Sequence, residues 1–248
     1  MYTDTEAVIL RQIKTLNGRR MILLFSKKYG KISAGTLINE YGKNKSALAL
    51  RPFTYGRYEL FKNKDSYNIN GAEVIQSYYR IGENVDKYMN ASYVLEFSDK
   101  ILAEGDPSPA MFNLLTDFLT MMEQRKSAYE TLVLGYICKS LTLAGNAPVL
   151  NSCISCGSLE NSAFFSIKDG GILCGNCITS NDVNNPLIFP VGVSIIEILK
   201  YLFEHPLRSL ENLALNDDIQ RQVDKILKAY ISYHLGIEGL KSEGLFFL

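Results

Sequence analysis

Four cysteines, arranged as two Cys-x-x-Cys pairs, are the residues of this sequence whose spacing most clearly implies chemistry. The first pair is Cys153 and Cys156, the second is Cys174 and Cys177, and seventeen residues separate the two pairs. Two thiolates three positions apart on a tight turn can bind one ion, and a second such turn completes a tetrahedron with Zn–S distances of about 2.3 Å. The spacing therefore predicts one structural Zn²⁺ held by all four cysteines.

A short β-hairpin is expected to bring the two pairs together. Residues 164–166 and 172–173 are predicted strands, and the turn between them is Lys168-Asp169-Gly170-Gly171. Both cysteine pairs would then meet at the base of one hairpin.

Three other interpretations of the cysteines are weaker. Disulfides need an oxidising compartment, but the first residues, MYTDTEAVILRQIK, are acidic where a signal peptide would be basic and then apolar. A redox dithiol needs one pair at the start of a helix in a βαβ context, which neither pair has. Catalytic zinc keeps an open position, whereas four thiolates close the shell. The fifth cysteine, Cys138, lies on an apolar helical stripe and is predicted to be a buried small hydrophobe.

The chain carries a strong charge asymmetry behind a net charge of zero. Residues 1–80 contain 14 Lys and Arg against 6 Asp and Glu, whereas residues 81–248 contain 12 against 20, so the two parts carry +8 and −8. A basic module joined to an acidic one suggests a polyanionic partner for the first. With 248 residues, 47% of them hydrophobic, and no run of eighteen apolar residues, the chain is expected to be globular and not to cross a membrane.

The first 80 residues read as β structure and the rest mostly as helix. Five short strands suit a small barrel, either an OB-fold, whose usual ligands are single-stranded nucleic acid or oligosaccharide, or an SH3-like barrel. The predicted strand segments are 7–13, 21–25, 32–38, 47–50 with 58–61, and 73–79, with turns at Asn17-Gly18 and Asn70-Gly71. From residue 84, apolar residues recur at helical spacing in the segments 94–101, 111–122, 129–144, 195–203 and 219–231.

Basic and aromatic residues interleave along the predicted barrel. Single-strand binders use cations to follow the phosphates and exposed rings to stack the bases, although a solvated charged surface with some rings in the core would give the same composition. Lys62 and Lys64 belong to this run, and the candidate contacts chosen from it are Arg19, Arg20, Lys27, Lys28, Tyr29, Lys31, Lys43, Lys45, Arg51, Tyr55 and Arg57.

Candidate catalytic groups are scarce. Of the two histidines, His205 precedes Pro206 at a predicted helix end, and His234 continues an apolar stripe, so we expect a satisfied core histidine there. The sequence contains no glycine-rich phosphate loop and no nucleophile elbow. Nothing supports an enzyme.

The sequence resembles the RecO recombination mediator proteins of bacteria along nearly its whole length. The resemblance depends on the order and spacing of many short segments rather than on one motif. These are Leu24-Phe25-Ser26, Tyr29-Gly30-Lys31-Ile32, Lys45-Ser46, Arg51-Pro52-Phe53, Ala91-Ser92-Tyr93, Leu95-Glu96, Ala144-Gly145 to Pro148, Phe165-Ser166, Gly170-Gly171, Leu173-Cys174, Tyr233-His234-Leu235-Gly236 and Leu240-Lys241-Ser242.

The resemblance implies an α+β protein of several domains. A five-stranded OB-fold β-barrel for nucleic-acid binding would occupy residues 1–80, and a mostly α-helical domain would occupy 81–248, with the four-cysteine zinc hairpin inserted at 150–180. The implied function is non-enzymatic: binding of single- and double-stranded DNA, annealing of complementary strands and, with RecR, loading of recombinase onto DNA coated by single-strand binding protein. The implied location is the bacterial cytoplasm, on the nucleoid when DNA is bound.

Two departures from the family pattern affect which residues would contact DNA. The first hairpin carries Gly18-Arg19-Arg20 where many members have an acidic residue after the glycine, and the basic run after the third strand is diluted to Gly42-Lys43-Asn44-Lys45.

Two alternative functions remain, an RNA-binding zinc protein and a zinc-dependent enzyme. RNA binding remains because base stacking and phosphate contacts suit both RNA and DNA.

Overall fold

The structure, a computed structural model, describes residues 1–14, 20–38, 45–64, 66–158, 162–179 and 185–242. The side chains of Lys45 and Ser162 are also outside the description. The chain divides into two compact units. The first comprises Met1–Arg125 and the described residues from Leu240 onward, and the second comprises Lys126–Gly239.

A closed five-stranded β-barrel forms most of the first unit and confirms the predicted fold of the N-terminal region. The strand order is β1-β2-β3-β5-β4, with β1 paired to both β2 and β4 and with β3 paired to β5 in parallel. This is the five-stranded barrel expected of an OB-fold. The strands are β1 (Tyr2–Lys14), β2 (Arg20–Ser26), β3 (Gly30–Thr36), β4 (Tyr55–Lys62) and β5 (Tyr67–Gln76).

The barrel interior is filled by side chains that alternate along each strand. Burial alternates along β4: Gly56, Tyr58 and Leu60 are buried, whereas Arg57 and Glu59 are exposed. This is the period-two pattern of a strand with one face in the core and the other exposed to solvent. The Tyr58 hydroxyl donates a hydrogen bond of 2.6 Å to the Ala49 carbonyl, so the polar end of this ring is satisfied inside the core.

Two local predictions in this region were wrong. Residues 47–50, predicted as strand, belong mostly to a short helix, α1 (Lys45–Ala49), whose apolar side packs into the barrel core. A four-residue apolar run carries too few residues for periodicity to separate strand from helix. Asn70-Gly71 does not precede a strand but lies inside β5, where the pairing with β4 shifts register between Glu59 and Leu60. The Asn17-Gly18 turn lies outside the described residues.

Two long helices complete the first unit. They are α2 (Val85–Ile101), capped by Asn84, and α3 (Pro109–Gln124), capped by Ser108. Phe112 of α3 packs against Phe25 and Tyr55 of the barrel, with ring centroids 5.6 and 5.8 Å apart. The first compact unit therefore includes these helices and continues to Arg125. The boundary between a nucleic-acid-binding domain and a helical domain at residue 80 stays a prediction.

Gly30, at the start of β3, is expected to be intolerant of any side chain. Its φ of +66° lies in the left-handed region, and an added Cβ would lie 2.3 Å from the Asp106 carbonyl oxygen. Gly105 has a similar φ of +71°, but nothing lies within 4 Å of its Cβ position. Gly105→Ala should therefore cost only the conformational penalty of about 1–2 kcal/mol. Gly30→Ala should cost clearly more, ~3 kcal/mol or above, because the backbone at Asp106 must also move. Urea unfolding of the two variants checks this, and equal losses would contradict it.

The second unit combines three helices with a small sheet. The helices are α4 (Tyr129–Leu143), α5 (Val193–Glu204) and α6 (Asp217–Leu235), and the sheet has the order β7-β6-β8, with β6 (Ser162–Ser166), β7 (Gly171–Cys174) and β8 (Ile188–Pro190). The hairpin of β6 and β7 confirms the predicted one, whereas β8 was not predicted. Cys138 is fully buried on α4 as expected, and burial raises the pKa of its thiol. Within the described residues, no helix is both long and apolar enough to span a membrane.

Candidate metal centre and nucleic-acid interface

The four predicted cysteines converge on one point in the second unit. Their sulfur atoms all lie within 4.8 Å of one another, and the Sγ atoms of Cys156 and Cys174 are 3.7 Å apart. Four sulfurs placed 2.3 Å from one ion at tetrahedral angles would be separated by about 3.8 Å. A disulfide would need about 2.05 Å, and all described cysteines are free. The geometry is that of a site that could hold a metal ion.

Local backbone structure explains how the two pairs meet. Cys174 is the last residue of β7, and Cys177 follows on a single 3-10 turn, Gly175–Cys177. The first pair turns through Gly157, whose φ is +75° and whose amide donates to the Cys153 carbonyl at 2.8 Å. The Ile154 amide donates to the Ile172 carbonyl at 3.0 Å, which fastens the first turn to the hairpin. The first turn is thus fixed by backbone hydrogen bonds, and the second is fixed by its continuity with β7.

The surroundings of the four sulfurs are graded from buried to exposed. Cys153 and Cys174 are each 2% exposed, Cys177 is half-buried and Cys156 is exposed. Ile154, Phe164, Leu173 and Ile178 pack around the inner pair. A site of this kind has an apolar inner side and one edge at the surface.

The protein favours a thiolate at one of these positions. Burial acts to raise the pKa of Cys153, but hydrogen bonds from the backbone amides of Cys174, Cys156 and Ser155 outweigh it and lower the pKa to about 6. The Cys174 amide donates to the Cys153 sulfur at 3.3 Å. At Cys177 a hydrogen bond with Ser155 acts to lower the pKa, but the neighbouring cysteines raise it to about 12. Oriented amides of this kind support anionic sulfur, which is the form that binds metal.

A second group of interest lies on the barrel and is called here the Tyr29 cluster: Thr3, Lys28, Tyr29, Lys62 and Tyr67. The ammonium groups of Lys28 and Lys62 lie 5.3 and 5.8 Å from the Tyr29 ring centroid, and Lys62 also lies 5.4 Å from that of Tyr67. The Tyr29 and Tyr67 rings are 5.7 Å apart. Among the described residues neither lysine forms a salt bridge, and the Lys28 ammonium donates to the Thr3 hydroxyl at 3.2 Å.

Tyr29 is held in place by its own hydroxyl. The hydroxyl shares a hydrogen bond of 2.6 Å with the Thr3 hydroxyl, and this bond and the nearby lysines lower the pKa of Tyr29. The Ser26 hydroxyl accepts from the amides of Lys28 and Tyr29, which fixes the β2–β3 turn. The half-buried Tyr29 ring is therefore fixed at its hydroxyl and at its backbone amide, next to the ammonium groups of Lys28 and Lys62.

Two of the predicted contacts, Lys27 and Tyr55, bond to Glu6, and a third, Arg57, lies opposite it. The Glu6 carboxylate pairs with Lys27 at 3.1 Å and accepts from the Tyr55 hydroxyl at 2.8 Å, and these two hydrogen bonds lower its pKa. Burial and the bond to Glu6 raise the pKa of Tyr55 to about 12. Arg57 lies directly opposite Glu6 in the β1–β4 pairing, and Asp4 lies opposite Glu59. The carboxylates on this β1–β4 face would therefore compete with phosphate groups for Lys27 and Arg57.

Two further predicted contacts are largely buried and already bonded inside the first unit, and their roles as nucleic-acid contacts stay untested predictions. Lys31 has a side chain only 10% exposed, and its ammonium pairs with Asp99 of α2 at 3.3 Å and donates to the Asp99 carbonyl. Arg20 is 8% exposed and donates to the Ile38 carbonyl. Their long side chains cover apolar neighbours and satisfy backbone groups, a role that residue type alone does not exclude.

Substituting Lys31 should therefore weaken folding rather than nucleic-acid binding. Lys31→Ala leaves the Asp99 carboxylate, 12% exposed, with Arg11 at 3.1 Å as its remaining ion-pair partner among the described residues. Loss of one partner of a buried pair costs about 3–5 kcal/mol when the other charge stays uncompensated, and Arg11 should reduce that to ~2–3 kcal/mol. Chemical denaturation gives the loss. An affinity for oligonucleotides reduced as much as by Lys28→Ala, measured where both variants are folded, would contradict this assignment.

The remaining predicted contacts are placed as follows. Arg19 and Lys43 lie outside the described residues, and Lys45 begins α1 with a side chain outside the description. Arg51 is exposed and lines a cavity on the flank of the barrel. Nothing in the structure tests the roles assigned to these four residues.

Thr3, Lys62 and Tyr67 are the members of the Tyr29 cluster that were not predicted as contacts from the sequence. Lys62 was part of the interleaved basic run but had no feature separating it from Lys64. Barrel closure brings Tyr67 to Tyr29, because β5 begins at Tyr67 opposite Ala34 of β3, a parallel pairing between strands distant in sequence. Lys62 of β4 lies opposite Tyr67 in the β4–β5 pairing. Only this non-local pairing identifies the cluster.

Both histidines contact aromatic neighbours in the described part of the chain. The His234 ring nitrogen lies 2.7 Å from the Ile167 carbonyl, and its ring contacts Tyr230 at 4.3 Å between centroids. His234 is hydrogen-bonded as expected but lies at the surface rather than in the core. His205 stacks on Tyr201 with centroids 4.0 Å apart.

Comparisons with known proteins place both units in one family. The model described as "Recombination protein O N terminal" matches residues 1–78, and the model described as "Recombination protein O C terminal" matches residues 82–244. Relatives named "DNA repair protein RecO" include those of Alkaliphilus metalliredigens (30% identity over 238 residues, covering 95% of this chain and 94% of the relative) and of a Thermoanaerobacter species (30% over 234, covering 94% and 93%). That of Caldanaerobacter subterraneus is 27% identical over 237 residues, covering 96% and 94%. The two family models together cover the barrel, the helices and the cysteine hairpin. This chain therefore belongs to the recombination protein O family.

Proposed function

We propose that this chain is a non-enzymatic, DNA-binding recombination mediator that acts in DNA repair. Its relatives are named as DNA repair proteins, and its family is named for recombination. The observation that carries the binding proposal is the Tyr29 cluster, two lysines and two tyrosines on one side of an OB-type barrel. Residues 1–80 would form the nucleic-acid-binding domain, and residues 81–248 the helical domain.

The chemistry of the Tyr29 cluster suits a single strand. Its ammonium groups can neutralise phosphates, and its half-buried rings offer faces on which bases stack. The acidic β1–β4 face, with Asp4, Glu6 and Glu59, would repel phosphate. We therefore expect the strand to approach Lys28 and Lys62 of the Tyr29 cluster rather than the face that carries Lys27, Arg57 and Glu6.

The cysteine site is proposed to hold one structural Zn²⁺. Cys153, Cys156, Cys174 and Cys177 form a donor set of four soft sulfurs that closes a tetrahedral shell, which is the arrangement of structural zinc rather than catalytic zinc. The metal would supply cross-links between the two cysteine turns. The protein's own contribution is the set of amides that stabilise anionic sulfur and the apolar residues that exclude water.

The finer activities follow from the family and are part of the proposal. They are annealing of complementary strands, binding of double-stranded DNA, and recombinase loading with RecR onto DNA coated by single-strand binding protein. The proposed location is the bacterial cytoplasm, with association to the nucleoid through DNA.

Fluorescence anisotropy with labelled oligonucleotides across a salt series tests this function. The full chain should bind single-stranded DNA with an affinity that falls steeply as salt rises, because phosphate contacts release counterions. It should also accelerate the pairing of complementary strands without consuming a substrate. A strong preference for RNA of the same sequence would favour the RNA-binding alternative, and absence of binding to either would refute the proposal.

A further inference from the structure

A cavity on the first unit lies apart from the Tyr29 cluster, and four of the thirteen residues that line it are aromatic. Its volume is about 990 Å³, at the upper end of the range of about 300–1,000 Å³ typical of ligand sites. Its walls come from the loop after α1, from β5, from the 3-10 turn Tyr79–Glu83 and from the start of α2. The aromatic residues that line it are Phe53, Tyr78, Tyr79 and Tyr88.

Two of these rings are presented to solvent rather than buried. Tyr79 is 62% exposed and Tyr88 is 49% exposed. Phe53 forms the floor and meets Tyr88 edge to face, with centroids 5.5 Å apart. Large exposed rings that gather around a concave surface are a feature of binding sites.

Two of the wall residues are held in strained backbone conformations. Phe53 has φ of +69° and Tyr78 has φ of +47°, and they are two of the three non-glycine residues with positive φ in the described part of the chain. Each is pinned by its neighbours: the Phe53 amide donates to the Ile9 carbonyl at 3.2 Å, and the Tyr78 hydroxyl shares a 3.1 Å hydrogen bond with Thr120. Strain of this kind costs of order 1–3 kcal/mol for each residue and concentrates at functional sites.

The polar groups at the cavity are few and mixed in sign. Arg51 and Glu73 line it, and the Arg80 guanidinium lies 6.0 Å from the Tyr79 ring centroid. Arg57 faces Glu73 across the β4–β5 pairing. An unstacked nucleotide matches this set: its base has a π face for the tyrosines and amino groups for the Glu73 carboxylate, and its phosphate suits Arg51. A purely aliphatic ligand would leave the carboxylate and the exposed ring faces unused.

We propose that this aromatic cavity binds an unstacked nucleobase of a single-stranded nucleic acid, as a second contact separate from the Tyr29 cluster. The inference rests on the proposed DNA binding and deepens it. A strand held at both places would have one base withdrawn from its stack, with Arg51 beside its phosphates.

Photo-crosslinking of the full wild-type chain gives the direct test. An oligonucleotide carrying 5-iododeoxyuridine, irradiated in the complex and analysed by peptide mass spectrometry, should give adducts on Tyr79 or Tyr88. Adducts confined to the Tyr29 cluster would overturn this inference while leaving the proposed function intact. A chain that binds no oligonucleotide would instead refute the proposed function.

Substitution gives a second, independent measurement. Tyr88→Leu keeps an apolar side chain but removes the stacking face, and it should weaken binding of a single-stranded oligonucleotide by about 5- to 150-fold with little change in salt dependence. Tyr233→Leu, at a tyrosine 48% exposed on α6, is the matched control and should leave affinity unchanged. If Tyr88→Leu, shown by circular dichroism to be folded, bound as tightly as the control, the cavity would serve another ligand, such as a protein segment, and the inference would be wrong.

Discussion

Replacing Cys174 with serine is expected to release the metal ion and to unfold the β6–β7 hairpin. Cys174 is 2% exposed, its amide donates to Cys153, and its sulfur lies 3.7 Å from that of Cys156, so its loss opens the shell from its buried side. Structural zinc contributes about 10–16 kcal/mol in isolated zinc peptides, which matches or exceeds the whole stability of an ordinary domain. Elemental analysis should find one zinc in the wild-type chain and none in the variant, with a large fall in melting temperature.

Cys138→Ala is the control for this experiment. Cys138 is equally buried but lies on α4 outside the cluster, so its substitution removes a small apolar volume and no metal ligand. It should keep one zinc and lose only about 1 kcal/mol of stability. A wild-type chain that holds no metal and melts at the same temperature after treatment with a chelator would contradict the structural role of zinc.

The cysteine site and the β-hairpin were predictable from sequence because their determinants are local. A Cys-x-x-Cys turn fixes two sulfurs within four residues, and the turn before Gly171 fixes the hairpin that joins the pairs. The long helices were predictable for the same reason, since the apolar period of residues such as Leu115, Phe118 and Leu119 extends over several turns.

Which basic side chains reach the surface was not predictable from residue type, because a lysine has the same character in sequence whether it faces solvent or a buried carboxylate. Lys28 and Lys31 are three residues apart on one hairpin, yet one lies beside the Tyr29 ring and the other is buried against Asp99, 68 positions away. The difference arises from the packing of α2 on the barrel. Local pattern carries no information about such a contact.

The predictions for two short segments of the barrel were wrong for a related reason. Residues 45–49 become helical because their apolar side covers the core near Tyr58, and Asn70-Gly71 stays in β5 because a register shift accommodates it. In both cases a tertiary contact overrides a short local signal, as expected where the local free-energy preferences are below ~1 kcal/mol.

Removing both lysines of the Tyr29 cluster should produce the largest change in DNA binding. The ammonium groups of Lys28 and Lys62 are the described cations that lie over its rings, and neither is engaged with a carboxylate in the described residues. Each phosphate contact to a single strand contributes about 0.7 to the slope of log K against log salt. The double variant Lys28→Ala/Lys62→Ala should therefore have a slope shallower by about 1.4, with a matching loss of affinity at low salt. Lys168→Ala, at an exposed lysine of the hairpin turn in the second unit, should leave the slope unchanged.

Loss of the Tyr29 ring should act differently from loss of the lysines. Tyr29→Leu removes a stacking face and the hydrogen bond to Thr3 but no charge, so affinity should fall by about 1–3 kcal/mol with little change in slope. The two kinds of variant are thus distinguishable in one salt titration by anisotropy. If the Lys28/Lys62 variant kept the wild-type slope while Lys27→Ala or Arg57→Ala lowered it, the strand would be bound on the Glu6 face. The carboxylates there would then have to release their partners to phosphate, and the Tyr29 cluster would have no part in binding.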